Sequence, residues 1–433
     1  HICFRLSPSF LSNAMGSIND GDLYNQPYYH GLLPREDIKS FLHNPGDFLV
    51  RMTEPSKPGQ REYVISVLTE KDQAPKHFVI NKIGDKFLIE RPHIFDSVHQ
   101  LVDFHISSKT SLTSKQIVVI KSPIGRRPWE LDHEDIESTK KLGEGAFGEV
   151  HLGKWRSKKT GKELPCAIKL AKLDAMTKEQ IKEIMSEARL MRFFDHPNIV
   201  RLYGVAARKE PLMLVMELAN QGSLDSYLQK NAVSMETKNE MVMQSAWGIE
   251  YLHEKNCLHR DIAARNCLYG DNKVKIADFG LSRAGNIYQM DPKSRVPIRW
   301  LAPETIKTAM YSQKTDVFSF GILVWEIYHN GVEPYPGMRV MEVAGKVAGE
   351  GYRMAFDPAL GVREDVIQFI LATCGRRART SGWGWWRLRR NSSPSSASHG
   401  PSSRAPSAAA APRLSAPART HAPSEYLCVS QTL

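Results

Sequence analysis

The stretch HRDIAARN, His259 to Asn266, decides the reading of this chain. Short apolar runs on either side, Cys257-Leu258 and Cys267-Leu268-Tyr269, read as strands, so the stretch is a loop. Phosphoryl transfer asks a protein for little covalent chemistry and much positioning of charge. In that chemistry Asp261 would accept the proton of an attacking hydroxyl, and Asn266 would hold magnesium through its amide oxygen. A polar surface loop would explain the HRD triplet alone. It does not explain the whole pattern together with the partners around it.

Outward from the loop, the strand KVKIA leads to Asp278-Phe279-Gly280, where the carboxylate would bind magnesium bridging the phosphates and Phe279 would pack to set the active geometry. Upstream, KLGEGAFGEVHLGKW places Gly143, Gly145 and Gly148 between two strand patterns. A lone GxGxxG is weak, because dinucleotide-binding folds use it before a helix. Here Val150, Leu152 and Trp155 predict a strand after the glycines instead. In CAIKLAKL, Lys169 shares a strand face with Ala167 and Ala171, which leaves it room to reach into a cleft. A helix follows, with Thr177 and Gln180 at capping-box spacing and an apolar stripe of Ile181, Ile184, Met185, Ala188 and Met191. Glu187 falls on the buried edge of that stripe and wants a cation, for which Lys169 is the natural candidate.

These segments, with VPIRWLAPE and DVFSFGILVWEI downstream, resemble the eukaryotic protein kinase domain over residues 135–375. The resemblance implies a bilobal fold using ATP with Mg2+, or Mn2+ in its place. It implies catalytic roles for Asp261, Arg265, Asn266, Lys169, Glu187 and Asp278, with Asn266 and Asp278 as the metal ligands. It implies a nucleotide site formed by Leu142, Gly143, Glu144, Gly145, Ala146, Phe147, Gly148, Val150, Ala167, Lys169, Met216, Glu217, Leu218, Ala219 and Leu268. Met216 would be the gatekeeper and Glu217 to Ala219 the adenine-binding hinge. Ala263-Ala264-Arg265, where serine/threonine kinases usually carry a lysine, and Pro297 to Trp300 point to tyrosine as the acceptor. Tyr288 in the intervening loop is the expected phosphosite, with Arg260 or Arg283 as partner for its phosphate.

Before this region lies a compact αβ pattern. Ile38, Phe41 and Leu42 fall at helical spacing after Pro34, GDFLVRMT reads as a buried strand, and REYVISVL and KHFVINKI follow. A closing helix carries Phe95, Val98, Leu101, Val102 and His105. Leu49 and Arg51 share a face, and an inward arginine needs an anion or an internal carboxylate. YYHG, FLVR and KHF resemble an SH2 domain, a central antiparallel sheet flanked by two helices, over residues 27–121. That resemblance assigns phosphotyrosine binding to Arg51, Arg35, Thr53 and His77. Val79 stands where Src-like members place a second basic residue. Residues 122–134 form a linker short enough that the two domains should touch. The whole is an α+β multidomain chain, and SH2 directly before kinase resembles the Fes/Fer family of non-receptor tyrosine kinases, in the short form found in nematodes.

Composition fits this. The chain of 433 residues is 42% hydrophobic and 24% charged, as in globular proteins. No apolar run is long enough to span a membrane. The cysteines, at 3, 166, 257, 267, 374 and 428, show no paired spacing, which fits reduced thiols and a cytoplasmic protein recruited peripherally, if at all, to the inner face of the plasma membrane. The net charge of +11 is concentrated after position 374, where nine arginines face one glutamate, so it carries no nucleic-acid signal. Residues 1–26 read as a disordered segment in which Met15 is a plausible start; Gly16 follows it, but Asp20 spoils a myristoylation signal. After Cys374 the pattern turns to a basic, Ser/Pro/Ala-rich tail over 376–433, either a true extension or the product of a lost reading frame. That break removes the arginine expected to pair with Glu304, leaving a buried carboxylate alone. Two functions therefore stay open: a tyrosine kinase recruited by phosphotyrosine proteins, or a catalytically dead phosphotyrosine adaptor.

Overall fold

The computed structural model describes residues 21–53, 61–145, 148–171, 178–291 and 296–373. Ala146, Phe147, Thr177, Met15, Gly16, Cys374 and the tail lie outside them.

The N-terminal module is built on a sheet ordered β4-β3-β2-β1-β5. Its strands are β1 (Asp47–Thr53), β2 (Glu62–Val67), β3 (Lys76–Ile83), β4 (Lys86–Leu88) and β5 (Ser122–Pro123). All pairs are antiparallel except β1 with β5. Alternation along β1 divides it cleanly. Phe48 and Val50 face one core with Val98, Leu101 and Val102 of α3 (Val98–Ser108), which Ser97 caps by accepting the Gln100 amide at 3.1 Å. Leu49 faces another, with Ile38, Phe41 and Leu42.

Two expectations are corrected here. The segment before residue 27 is not featureless: α1 (Gly21–Tyr24) seats Leu23 in the module's core and sets Tyr24 edge-on to Tyr29, because these apolar groups find a hydrophobic face to cover. The helix after Pro34 is a single turn, α2 (Arg35–Ile38), continued by turns that still bury Phe41 and Leu42.

The small lobe of the second module is a sheet ordered β6-β7-β8-β10-β9, from β6 (Ile136–Gly145), β7 (Gly148–Arg156), β8 (Glu163–Ala171), β9 (Leu202–Ala206) and β10 (Met213–Glu217). As the apolar alternation requires, the glycines lead into a strand. Against the sheet lies α4 (Lys178–Met191), with Ile181, Ile184, Met185, Ala188 and Met191 all buried. The large lobe contains α5 (Leu224–Lys230), α6 (Met235–Glu254), α7 (Pro303–Thr308), α8 (Gln313–Tyr328), α9 (Val340–Gly345) and α10 (Glu364–Thr373). Short strand pairs frame its loops: β11 (Cys257–Leu258) with β14 (Arg283–Ala284), β12 (Cys267–Gly270) with β13 (Lys273–Ile276), and β15 (Ile287–Gln289) with β16 (Met310–Ser312). Helix α8 is buried on nearly every side, as its apolar sequence dictates.

The modules touch, as the short linker requires. Leu32, Leu33, Ile38, Phe41 and Leu49 share one hydrophobic cluster with Ile181, Ile184, Met185 and Ala188 of α4. Arg189 of α4 grips buried Asp37 with two hydrogen bonds, of 2.7 and 2.9 Å. The linker is not a free tether: Ser122 and Pro123 pair with β1, His30 bonds Glu130 at 2.7 Å, and Glu130 bridges to Val205 of the small lobe.

Glu304 is exposed on α7, so the expected cost of a lone buried carboxylate does not arise. Among the described residues no cation pairs with it.

Candidate active site

Two short strands hold HRDIAARN at its ends, and hydrogen bonds from within set its shape. His259 is fully buried; its Nε2 donates to the Ala277 carbonyl at 3.0 Å, so Nδ1 is left to accept the Asp261 amide at 3.3 Å. Asp316 on α8 accepts the amides of His259 and Arg260, both at 2.8 Å. That grip holds Arg260 in the left-handed region at φ 73°.

Asp261 and Asn266 are in direct contact. The Asn266 Nδ2 donates to the Asp261 carbonyl at 2.8 Å and to its Oδ2 at 2.7 Å. Both partners are acceptors, so the amide nitrogen must face Asp261 and the amide oxygen must face away. The oxygen is thereby available to a cation. Arg265 pairs with Asp261 Oδ1 and stacks on the Trp300 ring at 4.0 Å, and among the described residues its buried Nη1 has no hydrogen-bond partner.

Across the cleft, Lys169 of β8 bonds Glu187 of α4 at 2.7 Å, with both side chains largely shielded from water. Burial pushes the Glu187 carboxyl up, the Lys169 charge and hydrogen bond oppose this, and the nearby Asp278 charge adds to the rise. Lys169, Glu187 and Asp278 are therefore one electrostatic group. Asp278 is exposed, in the left-handed region at φ 59°, while Phe279 is fully buried between the Phe194 and His259 rings, at 5.3 and 5.1 Å. No cluster of three metal-ligating side chains exists among the described residues. An exposed carboxylate and an outward amide oxygen suit a magnesium that takes its remaining ligands from phosphate and water.

The described residues among those expected to bind nucleotide lie on neighbouring strands of the small lobe, on the segment that follows it and on β12. Val150 pairs with Gly143 and Lys169, and Ala167 with Leu152 and Met216. A side chain at Gly143 would meet open space, whereas a Cβ at Gly148, at φ 146°, would lie 1.8 Å from the Leu170 carbonyl. Gly148 is needed for this close strand contact. Leu142 and Glu144 are exposed on β6, and Leu268 lies on β12 beside Ser223. In the hinge, Glu217 donates its amide to the Arg201 carbonyl at 2.9 Å and pairs its carboxylate with Lys275 at 2.8 Å, while the Ala219 carbonyl accepts the Gly222 amide at 3.3 Å.

Tyr288 lies on β15 opposite Tyr311, under two guanidiniums: Arg260 at 4.0 Å and Arg283 at 5.7 Å from its ring. Among the described residues, the buried Arg260 Nε has no hydrogen-bond partner.

In the N-terminal module, Arg51 is buried and its Nε donates to Ser66 Oγ at 3.1 Å. Burial, with the Arg35 charge, lowers its pKa to about 10, and no carboxylate among the described residues pairs with it. Ser66 Oγ also bonds His77 Nδ1 at 2.9 Å. Burial and the two arginines depress His77 to about 4, so the ring is neutral and its Nε2–H is free to donate. Ser66 was missed in the sequence, though its inward place on β2 opposite Leu49 was readable from alternation. Also missed were Asp316 and Glu326 of α8, hidden in an apolar run.

Comparison with known proteins agrees with this geometry. Residues 136–379 match the family model for protein tyrosine and serine/threonine kinases, and residues 28–105 match the SH2 domain model. The chain is 40% identical over 369 residues to Fer-related kinase 1 of Caenorhabditis elegans, covering 84% of this chain and 92% of that protein. It is 40% identical over 356 residues to human tyrosine-protein kinase Fer, covering 81% of this chain but only 42% of Fer. It is 35% identical over 354 residues to the transforming protein Fps of avian sarcoma virus PRCII, 80% of this chain and 64% of that protein. An SH2 module leading into a kinase module, matched to these relatives along most of its length, makes this chain a member of the Fer/Fps family of non-receptor protein-tyrosine kinases.

Proposed function

We propose that the chain moves the γ-phosphoryl group of ATP to a protein tyrosine hydroxyl with Asp261 as the base. The observation that carries this is the Asp261–Asn266 contact, which presents a carboxylate and an outward amide oxygen to one cleft. Asp261 receives the phenolic proton. Arg265, fixed on Trp300, places the phenol near that carboxylate. Lys169, held by Glu187, clamps the α and β phosphates. Glu217 to Ala219 offer backbone groups to adenine beside Met216, with the glycine-rich segment Leu142 to Val150 over the phosphates and Ala167 and Leu268 as apolar faces. Mg2+ or Mn2+, held by Asn266 and Asp278, supplies neutralisation of phosphate charge.

The SH2 module, residues 27–121, binds phosphotyrosine through Arg51, with Arg35, Thr53 and His77, and brings the kinase module, residues 135–375, to phosphorylated proteins. Phosphorylation of Tyr288 orders its loop by pairing with Arg260, whose buried Nε has no partner among the described residues. The linker is 122–134 and the tail 376–433. The cytoplasm is the proposed location: ATP and phosphotyrosine proteins are found there, and Cys166, Cys257 and Cys267 are free and buried. No helix among the described residues is long and apolar enough to cross a membrane.

Radiolabel transfer to a Glu/Tyr polymer by the full chain, with Asp261→Asn as control, tests the reading. Incorporation that vanishes in the variant supports it. Phosphopeptide binding with no incorporation by the wild type supports the adaptor instead, a reading favoured by the break in pattern after Cys374.

A further inference from the structure

The phosphotyrosine pocket has a wall from the other module. It is a cleft of about 180 Å³ lined by Arg35, Arg51, Thr53 and His77 on one side and by Ile181 and Lys182 of α4 on another. The charge in this cleft is incomplete without that wall. His77 is neutral, and Val79, on the pocket's β3 edge, carries no charge. A phosphate monoester brings about −1.5 to −2 at neutral pH, more than Arg51 alone neutralises while Arg35 stays exposed to solvent.

Lys182 is positioned to add a third cation. Its Nζ bonds Glu36 Oε1 at 2.8 Å, and the two side chains are 40% and 48% exposed. Burial raises the Glu36 carboxyl, but Lys182, with help from Arg189, brings it below its ordinary value, so the pair is ionised. A pair this exposed is weak, and a phosphate monoester offers Lys182 up to about twice the negative charge of one carboxylate, on three strong acceptor oxygens. Exchange of partners is therefore downhill, and the flexible lysine stem permits it.

We propose that the phosphotyrosine site is composite: Lys182 of the kinase module leaves Glu36 and binds the phosphate alongside Arg51 and Arg35. The proposal rests on the reading of Arg51 as the phosphotyrosine-binding residue. It predicts that the two ends of one ion pair act in opposite directions, because Lys182 serves the ligand and Glu36 competes with it.

The test is fluorescence anisotropy on the full chain with a labelled, degenerate peptide pool carrying a fixed central phosphotyrosine. Lys182→Gln should weaken binding roughly 5- to 10-fold, the scale of a bond to a charged group discounted for exposure. Lys182→Arg should stay within about twofold of wild type, and Glu36→Gln should tighten binding about two- to threefold. If Lys182→Gln and Glu36→Gln weaken binding alike, the pair is only a strut between modules and the proposal is wrong. It is equally wrong if Lys182→Gln changes nothing. A wild type that fails to bind the pool, or an Arg51→Gln variant that binds it normally, overturns the phosphotyrosine reading itself. Neither result resembles the first two.

Discussion

Glu326→Gln should make the protein's stability less sensitive to pH, and by an amount the structure sets. Glu326 of α8 is 3% exposed, and its Oε2 accepts the Ala264 amide and the Trp300 Nε1, each at 3.0 Å. Burial raises its pKa from 4.5 to about 7, against the opposing pull of those two donors. Below the unfolded value both states hold the proton, and the carboxyl's full contribution is present. Between the two values the native state holds a proton that the unfolded chain has lost, so stability falls as pH rises. Above the folded value the loss is complete. A shift of this size at about 1.4 kcal/mol per pH unit amounts to about 3 kcal/mol. Glutamine accepts the same two donors and has no proton to lose. Urea unfolding of wild type and variant from pH 5 to pH 8.5 isolates this group, because the other titrating residues cancel in the difference. The variant should match wild type near pH 5 and gain progressively to about 2–3 kcal/mol at pH 8. A difference that stays flat across that range would refute the reasoning, since it would mean the native carboxyl titrates as it does in the unfolded chain.

Three further outcomes follow from geometry. Arg189→Met leaves Asp37 buried without its cation and should cost about 3–5 kcal/mol in chemical unfolding, while the double variant Arg189→Met, Asp37→Leu should recover most of it. Gly148→Ala places a Cβ on the Leu170 carbonyl and at a φ costly for alanine, so it should lose more than about 1 kcal/mol and raise KM for ATP; unchanged melting and KM would count against the packing argument. Tyr288→Phe should lower turnover of the full chain several-fold after preincubation with ATP but leave it unchanged before, as read by a time course of polymer phosphorylation.

What was legible in the sequence was local. HRDIAARN could be read because its carboxylate, amide and arginine act on one another within a few residues. The Lys169–Glu187 pair was legible through periodicity, since strand alternation fixed one face and the helical stripe the other. Contacts between distant segments were not. Asp37 and Arg189 lie on short polar stretches whose charges look solvated, and nothing local tells which of several arginines an aspartate will find. The short helix of Leu23 was lost because four residues give no period to read. Glu304 was expected to be buried from a pairing seen in the family, and the structure places it in the open on α7.

The two acids of α8 explain how a loop with little secondary structure holds its geometry. Asp316 takes two backbone amides at the start of HRDIAARN, and Glu326 takes one at Ala264, between Asp261 and Asn266. Both sit on a helix buried along almost its whole length, so neither can follow the loop if it moves. Arg260, at positive φ, is pinned by the bond from its own amide to Asp316. Glu326 also receives the Trp300 indole, and Trp300 carries Arg265 on its face. One carboxylate thus positions the loop that holds Asp261 and the aromatic platform that stacks on Arg265. Its partial protonation near neutrality weakens neither hydrogen bond outright, because a carboxylic acid still accepts through its carbonyl oxygen. The platform should therefore persist in Glu326→Gln, so turnover should fall far less than stability shifts. Glu326→Ala, which removes the acceptor while leaving two buried donors, should lose both.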